Sequence, residues 1–441
     1  MECCGSTLRP VLPTVECYGS TLRSPAHACR TPALACRTPV ARSPAARAHL
    51  LSSRAMPTPT RKPPSKLNPR RRLRPPAMQQ GSPAVADLVD TYFNAYNAAR
   101  IRESCQLFAR LLDEGATVGV SISGALTPAG LSSVITPLME AGFIDYIVST
   151  GANLYHDLHF DLALPLYRGT ADVATGAADV QLREDGIIRV YDVLFPAEVL
   201  YKTDDWVMRV MMADEFRRRM STAELHHRIG RYALETARKL GVAKPSILAT
   251  AHALELPVWV ASPGDSTIGL NVAAIYAADP ERSPIIDPAI DVTEMAALVL
   301  DAKRTKTAKK QPGKSAVVIL GGGAPKNFLL QTEPQLQEIL GIAEKGHDYF
   351  IQVTDARPDT GGLSGATPAE AVSWGKIDPD KLPDTVVAYV DSTIALPIIA
   401  SYVLARCKPR PPRRLYARLP AMVDRLRSEY RRGDRYARLW K

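Results

Sequence analysis

The chain has 441 residues, 46% of them hydrophobic, enough to build a substantial core in one large domain or two ordinary ones. Its net charge of +10 is unevenly spread: residues 1–78 carry fourteen Lys/Arg against Glu2 and Glu16, residues 406–441 carry thirteen against Asp424, Glu429 and Asp434, and the stretch 79–405 is left at about −12. This excludes a uniformly basic nucleic-acid binder, no run of eighteen apolar residues could cross a membrane, and of seven cysteines only Cys105 and Cys407 lie outside residues 1–78, too few for a disulfide framework or a zinc site.

Residues 1–78 repeat themselves, ECCGSTLRP being echoed by ECYGSTLRS, in Pro/Arg/Ala/Ser-rich text that cannot bury enough apolar surface to order itself. Two readings stay open: an organelle transit peptide, or upstream sequence translated from an early start codon with the true start at Met56 or Met78. From residue 85 the apolar spacing predicts one long amphipathic helix over 85–115, with Gly115 as its C-terminal cap. A strand is expected over 116–122, a helix over 127–141, a strand over 144–149 and an Arg- and His-rich helix over 216–240. Strands follow at 257–261 and 315–320, a helix at 325–340, and strands at 348–354 and 386–390. Residues 301–314 read as a solvated basic loop or helix end. Short Val/Ile runs alternating with helices predict a mostly parallel sheet covered on both faces, an α/β doubly wound fold across 79–405. The tail, 406–441, mixes Arg with Tyr416, Tyr430, Tyr436 and Trp440. It reads as an amphipathic helix packed on a neighbouring subunit, with single-stranded RNA binding as the alternative.

In such a sheet ligands bind beyond the carboxyl ends of strands. The strand SAVVIL runs into Gly321, Gly322 and Gly323 and then a helix, a turn whose glycines would let a phosphate approach the backbone near a helix N-terminus. Two other strands end near Asp265 and Asp391, carboxylates that could receive ribose hydroxyls or simply cap helices. An acidic body also suits cationic ligands such as polyamines, although acid spread over solvated helix faces would give the same composition. The segment 355–377, DARPDTGGLSGATPAEAVSWGKI, is a Gly/Ser/Thr/Pro loop leading into a short helix with Glu370, Trp374 and Lys376. A lysine beside an indole can be desolvated, which lowers its pKa and frees its amine to attack an imine carbon.

The run AVSWGKI, with VVILGGGAPKNF upstream and VAYVDSTIALP downstream, resembles the deoxyhypusine synthase family, and fainter similarity over 118–157 and 257–271 extends it across most of 86–405. The resemblance implies a Rossmann-like NAD-binding fold and a transferase that moves an aminobutyl group from spermidine through a lysine imine. It further implies Lys376 as the covalent nucleophile, Trp374 packed on the alkyl chain and Glu370 holding a terminal ammonium. The resemblance also implies Asn327 in the amine site and Thr150, Asp265, Gly322, Gly323 and Asp391 as contacts to NAD. A homotetramer in the cytoplasm is the corresponding expectation, or an organelle if residues 1–78 are a transit peptide. Several acidic or basic positions of the strict enzymes differ here. Leu270 and Leu363 replace acids, Asn327 replaces a histidine, and Tyr155-His156 replaces an acidic pair. This pattern is similar to the bacterial deoxyhypusine synthase-like branch, for which homospermidine made from small amines such as putrescine is the expected product. The alternatives are modification of a lysine on the hypusine-bearing translation factor, and a catalytically silent NAD-binding partner subunit.

Overall fold

The computed structural model describes residues 84–169, 179–306 and 311–440; both readings of residues 1–78 lie outside the described residues. Six strands form the central sheet: β1 (Thr117–Ile122), β2 (Tyr146–Ser149), β3 (Val258–Val260), β4 (Ser315–Leu320), β5 (Tyr349–Thr354) and β6 (Thr385–Tyr389). Every pairing is parallel, in the order β6-β5-β4-β1-β2-β3. The doubly wound α/β expectation is met. The strand order reverses between β1 and β4, and a crevice at that switch point is where open α/β sheets bind ligands.

Alternation along the strands explains why both faces are covered. Ala316, Val318 and Leu320 of β4 face one core with Val118, Val120 and Ile122 of β1, while Val317 and Ile319 face a second core with Phe350 of β5. On that second face Gly119 leaves room for the ring of Tyr146, which a Cβ would penetrate.

Four predicted helices differ in detail, the one expected over 127–141 being a 3-10 turn, Thr127–Ala129, then a left-handed Gly130 and a helix, Ser132–Glu140. The helix expected over 85–115 is two, Val85–Tyr92 and Tyr96–Asp113, because Tyr96 takes a left-handed backbone (φ 54°) that interrupts the hydrogen-bond ladder. Gly115 does close the second helix, at φ 77°, with its N–H on the Leu112 carbonyl. The helix expected over 216–240 begins at Thr222, because Ser221 caps it by accepting from the Glu224 N–H at 3.1 Å. The helix expected over 325–340 runs Gly323–Leu330 and ends in a separate one-turn π-helix, Gln335–Ile339. The stretch 301–314, read as a solvated basic loop or helix end, begins as the end of the helix Pro288–Arg304, and its residues 307–310 lie outside the described residues.

The basic tail is helical over Leu415–Arg432 and Asp434–Trp440. Its first helix inserts Leu415, Leu419, Met422 and Leu426, spaced for one helical face, into the second core beside Met295, Leu298 and Val299 of this same chain. The preceding turn is pinned by Arg410, which donates to the Gly142 and Ala116 carbonyls at 2.6 and 2.9 Å and pairs with buried Asp145 at 3.0 Å. No helix among the described residues is long and apolar enough to cross a membrane.

Candidate active site

All six strands point their carboxyl ends the same way, so the turns that follow them share one edge of the molecule. After β4, Gly321 and Gly323 adopt left-handed backbones (φ 81° and 55°) and Gly322 lies against Ser364 too closely for any Cβ. The Ser123 hydroxyl, just beyond β1, accepts from the Gly322 N–H at 3.1 Å and donates to the Gly322 carbonyl, which ties the two sides of the switch point together. Thr150 follows β2, caps the helix Gly151–Asp161 and donates to the Gly124 carbonyl at 2.6 Å. Gly151 in turn lies against Ser266, the residue after Asp265. Thr150, Gly322, Gly323 and Asp265 are thus joined by a chain of contacts around the crevice. The Asp265 side chain is exposed. Asp391 follows the edge strand β6, and its carboxylate caps the helix Ser392–Arg406 by accepting from the Thr393 N–H at 2.8 Å.

The second group gathers in one pocket of about 290 Å³, lined among others by Asn327, Glu370, Trp374 and Lys376. Thr367 caps the short helix Pro368–Ser373 and accepts from the Glu370 N–H at 3.2 Å. The helix then stops at a left-handed glycine: Gly375 (φ 66°) donates to the Val372 carbonyl at 3.0 Å, and Lys376 donates its backbone N–H to Ala371 at 2.9 Å. This six-to-one and five-to-two pairing closes the helix and turns Lys376 back towards the pocket. Its Nζ donates to Asn327 Oδ1 at 3.2 Å and lies 5.7 Å from the centre of the Trp374 ring. Burial lowers the Lys376 pKa from its ordinary value, and the negative charge of Glu370 works against that shift.

Lys326 escaped the sequence reading as a functional group. It is 3% exposed, and its Nζ donates to the Ala366 carbonyl at 2.7 Å, to Gln352 Oε1 at 3.0 Å and to the Ser364 carbonyl at 3.4 Å. Burial pushes its pKa down to about 8, with Lys376 adding to the fall and Glu370 opposing it. Gln352 donates to the Gly321 and Ser364 carbonyls at 2.9 and 2.8 Å, and Ser364 Oγ accepts from the Gly323 N–H at 2.9 Å. Lys326, Gln352 and Ser364 therefore fasten the lysine loop to the glycine turn. A lysine in the first turn of a helix is electrostatically disfavoured, and that misfit was the available signal.

The sequence matches the deoxyhypusine synthase family over residues 87–403. The chain belongs to that family. It is 54% identical over 349 residues to the "Deoxyhypusine synthase-like protein" of Nostoc sp., covering 79% of this chain and 88% of that one. It is 55% identical to the protein of the same description from Cyanothece sp., with coverages of 79% and 86%. Identity to the "Probable deoxyhypusine synthase 2" of Methanosarcina acetivorans is 36% over 319 residues, 72% of this chain and 86% of that one. Members of the family are transferases, and Lys376 lies inside the matched span.

Proposed function

We propose that the chain is an NAD-dependent aminobutyl transferase that forms homospermidine from small amines through an imine on Lys376. The observation that carries the reading is a half-buried lysine with a lowered pKa, held by Asn327 and flanked by an indole, in a pocket whose lining holds a single carboxylate, Glu370.

Open backbone around the crevice supports a dinucleotide as its ligand. Where a Cβ would stand on Gly124, Gly264 and Gly323, at turns after β1, β3 and β4, nothing lies within 4 Å, so a ligand can reach the backbone at all three. Gly322, Gly323, Thr150, Asp265 and Asp391 are the residues proposed to hold NAD, which when bound accepts and later returns a hydride at the amine-bearing carbon. Glu370 holds the far ammonium of the substrate and Trp374 lines its methylene chain. Lys376, donating one N–H to Asn327, keeps its lone pair free and adds to the imine carbon. The original carbon–nitrogen bond breaks, and ammonia leaves from putrescine or 1,3-diaminopropane from spermidine. An acceptor amine then adds to the same carbon, the bond to Lys376 breaks, and reduction completes the product.

One carboxylate leaves the second charge of a diamine uncompensated within a single chain. We further propose assembly as a homotetramer in which a neighbour completes the site. The test is incubation of purified protein and NAD with labelled putrescine or spermidine, with and without the hypusine-bearing translation factor, and identification of products by mass spectrometry. Homospermidine supports the reading. Label appearing only on a lysine of the hypusine-bearing translation factor would favour the protein acceptor, and NAD binding without any product would favour the silent subunit.

A further inference from the structure

Gln337 does not line the pocket, yet it holds the segment that carries Lys376. It sits in the π-helical turn Gln335–Ile339, a local geometry that is rare and concentrated at functional sites. Its Nε2 donates to the Gly375 carbonyl at 2.8 Å and to Glu333 Oε2 at 3.3 Å. On the next residue, the Lys376 carbonyl accepts from the His347 N–H at 3.0 Å. The turn leaves no slack, since a Cβ on Gly375 would come within 2.6 Å of Gln337 Oε1.

The anchor of this arrangement is costly in itself. Glu333 is fully buried, and its second oxygen makes no hydrogen bond, standing 3.9 Å from His347 Nδ1. Burial pushes the Glu333 pKa up to about 8, Lys303 opposing the shift and Glu344 and Asp348 adding to it. A well-packed apolar side chain would fill the same volume at lower cost, so packing alone does not account for the pair.

We infer that Gln337, anchored by Glu333, is a positioning residue that fixes the direction in which Lys376 presents its amine. Lys376 follows the left-handed Gly375 and reaches Asn327 only while that turn keeps its orientation. The Gln337 amide is the side-chain donor that holds the outer carbonyl of the turn. Without it the Gly375 peptide can rotate and carry the amine off line, and a misplacement of about 1 Å can lower a rate by up to about 100-fold. The inference rests on the proposed nucleophilic role of Lys376.

The test uses Gln337→Glu and Gln337→Ala in the full chain. The Glu variant is nearly isosteric and can donate an O–H to the Gly375 carbonyl only while protonated. The titratable group it meets directly is Glu333 on the preceding turn, which itself lies among Lys303, Glu344, Asp348 and His347. Its kcat should therefore fall by about tenfold or more relative to wild type as pH rises through its pKa, with KM for the diamine nearly unchanged, a split that lost transition-state positioning predicts. The Ala variant should be slow at every pH. Independently of any turnover, reductive alkylation of Lys376 by butyraldehyde and cyanoborohydride, read by peptide mass spectrometry, should slow about tenfold in Gln337→Ala relative to the other lysines. A Gln337→Glu pH profile superimposable on wild type, or unchanged Lys376 alkylation in Gln337→Ala, overturns the inference. Transfer surviving in Lys376→Arg would instead overturn the proposed function, while the alkylation comparison still reads the positioning.

Discussion

Replacing Lys326 by Met isolates the consequence of burying an ammonium between the glycine turn and the lysine loop. Lys326 is 3% exposed, and its pKa falls from an ordinary 10.5 to about 8. At 1.36 kcal/mol for each tenfold change, that corresponds to about 3 kcal/mol of differential interaction between its charged and neutral forms. Below about pH 8 the ammonium is charged in both folded and unfolded chains and the penalty is fully present. Between about 8 and 10.5 the folded protein releases the proton while the unfolded chain still holds it, so the unfolded state binds more protons and stability rises with pH. Methionine removes the titration. It also orphans the Ala366 and Ser364 carbonyls and Gln352 Oε1, at about 1–3 kcal/mol for each acceptor left unsatisfied, but that loss is the same at every pH. The difference in stability between wild type and Lys326→Met should therefore shift towards wild type by about 3 kcal/mol between pH 7 and 10.5. Equilibrium urea denaturation at fixed protein concentration measures it, and a difference flat across that range would refute the reasoning. The groups facing Lys326, Glu370 and Lys376, are retained in both proteins, so their own titrations enter both curves.

Lys376→Arg keeps the charge but removes an amine that can become neutral, so borohydride added during turnover with labelled putrescine should label wild type and not the variant, and transfer should fall by orders of magnitude. Asp265→Ala should weaken NAD more than amine binding, which a calorimetric titration of each ligand checks; an unchanged NAD isotherm removes Asp265 from the cofactor site. Arg410→Ala strips buried Asp145 of its nearer cation and leaves Arg413 at 3.4 Å, so urea denaturation should show a loss of about 3 kcal/mol.

What the sequence determined by itself was local. The runs TVGVSI, SAVVIL and YFIQVT are too apolar and too rich in branched residues to be anything but buried strands, and all three are buried along their length. The order AVSWGKI places a helix end, an indole and an amine within a few residues, so Glu370, Trp374 and Lys376 were legible as a group, and Asn327 joins them in the same pocket. Other features depended on partners distant in the chain. Strand order and the switch point between β1 and β4 arise from packing across about 200 residues, which periodicity does not encode. Tyr96 breaks a helix that its own spacing supports, and Leu415, Leu419, Met422 and Leu426 join the core of a chain whose composition made the tail look solvated. The sharpest case is Lys326. Its charge is plain in the sequence, but only the convergence of Gln352, Ser364 and Ala366 from two other places in the chain makes burial of that charge tolerable, because acceptors that satisfy an ammonium away from water must be brought to it by the fold.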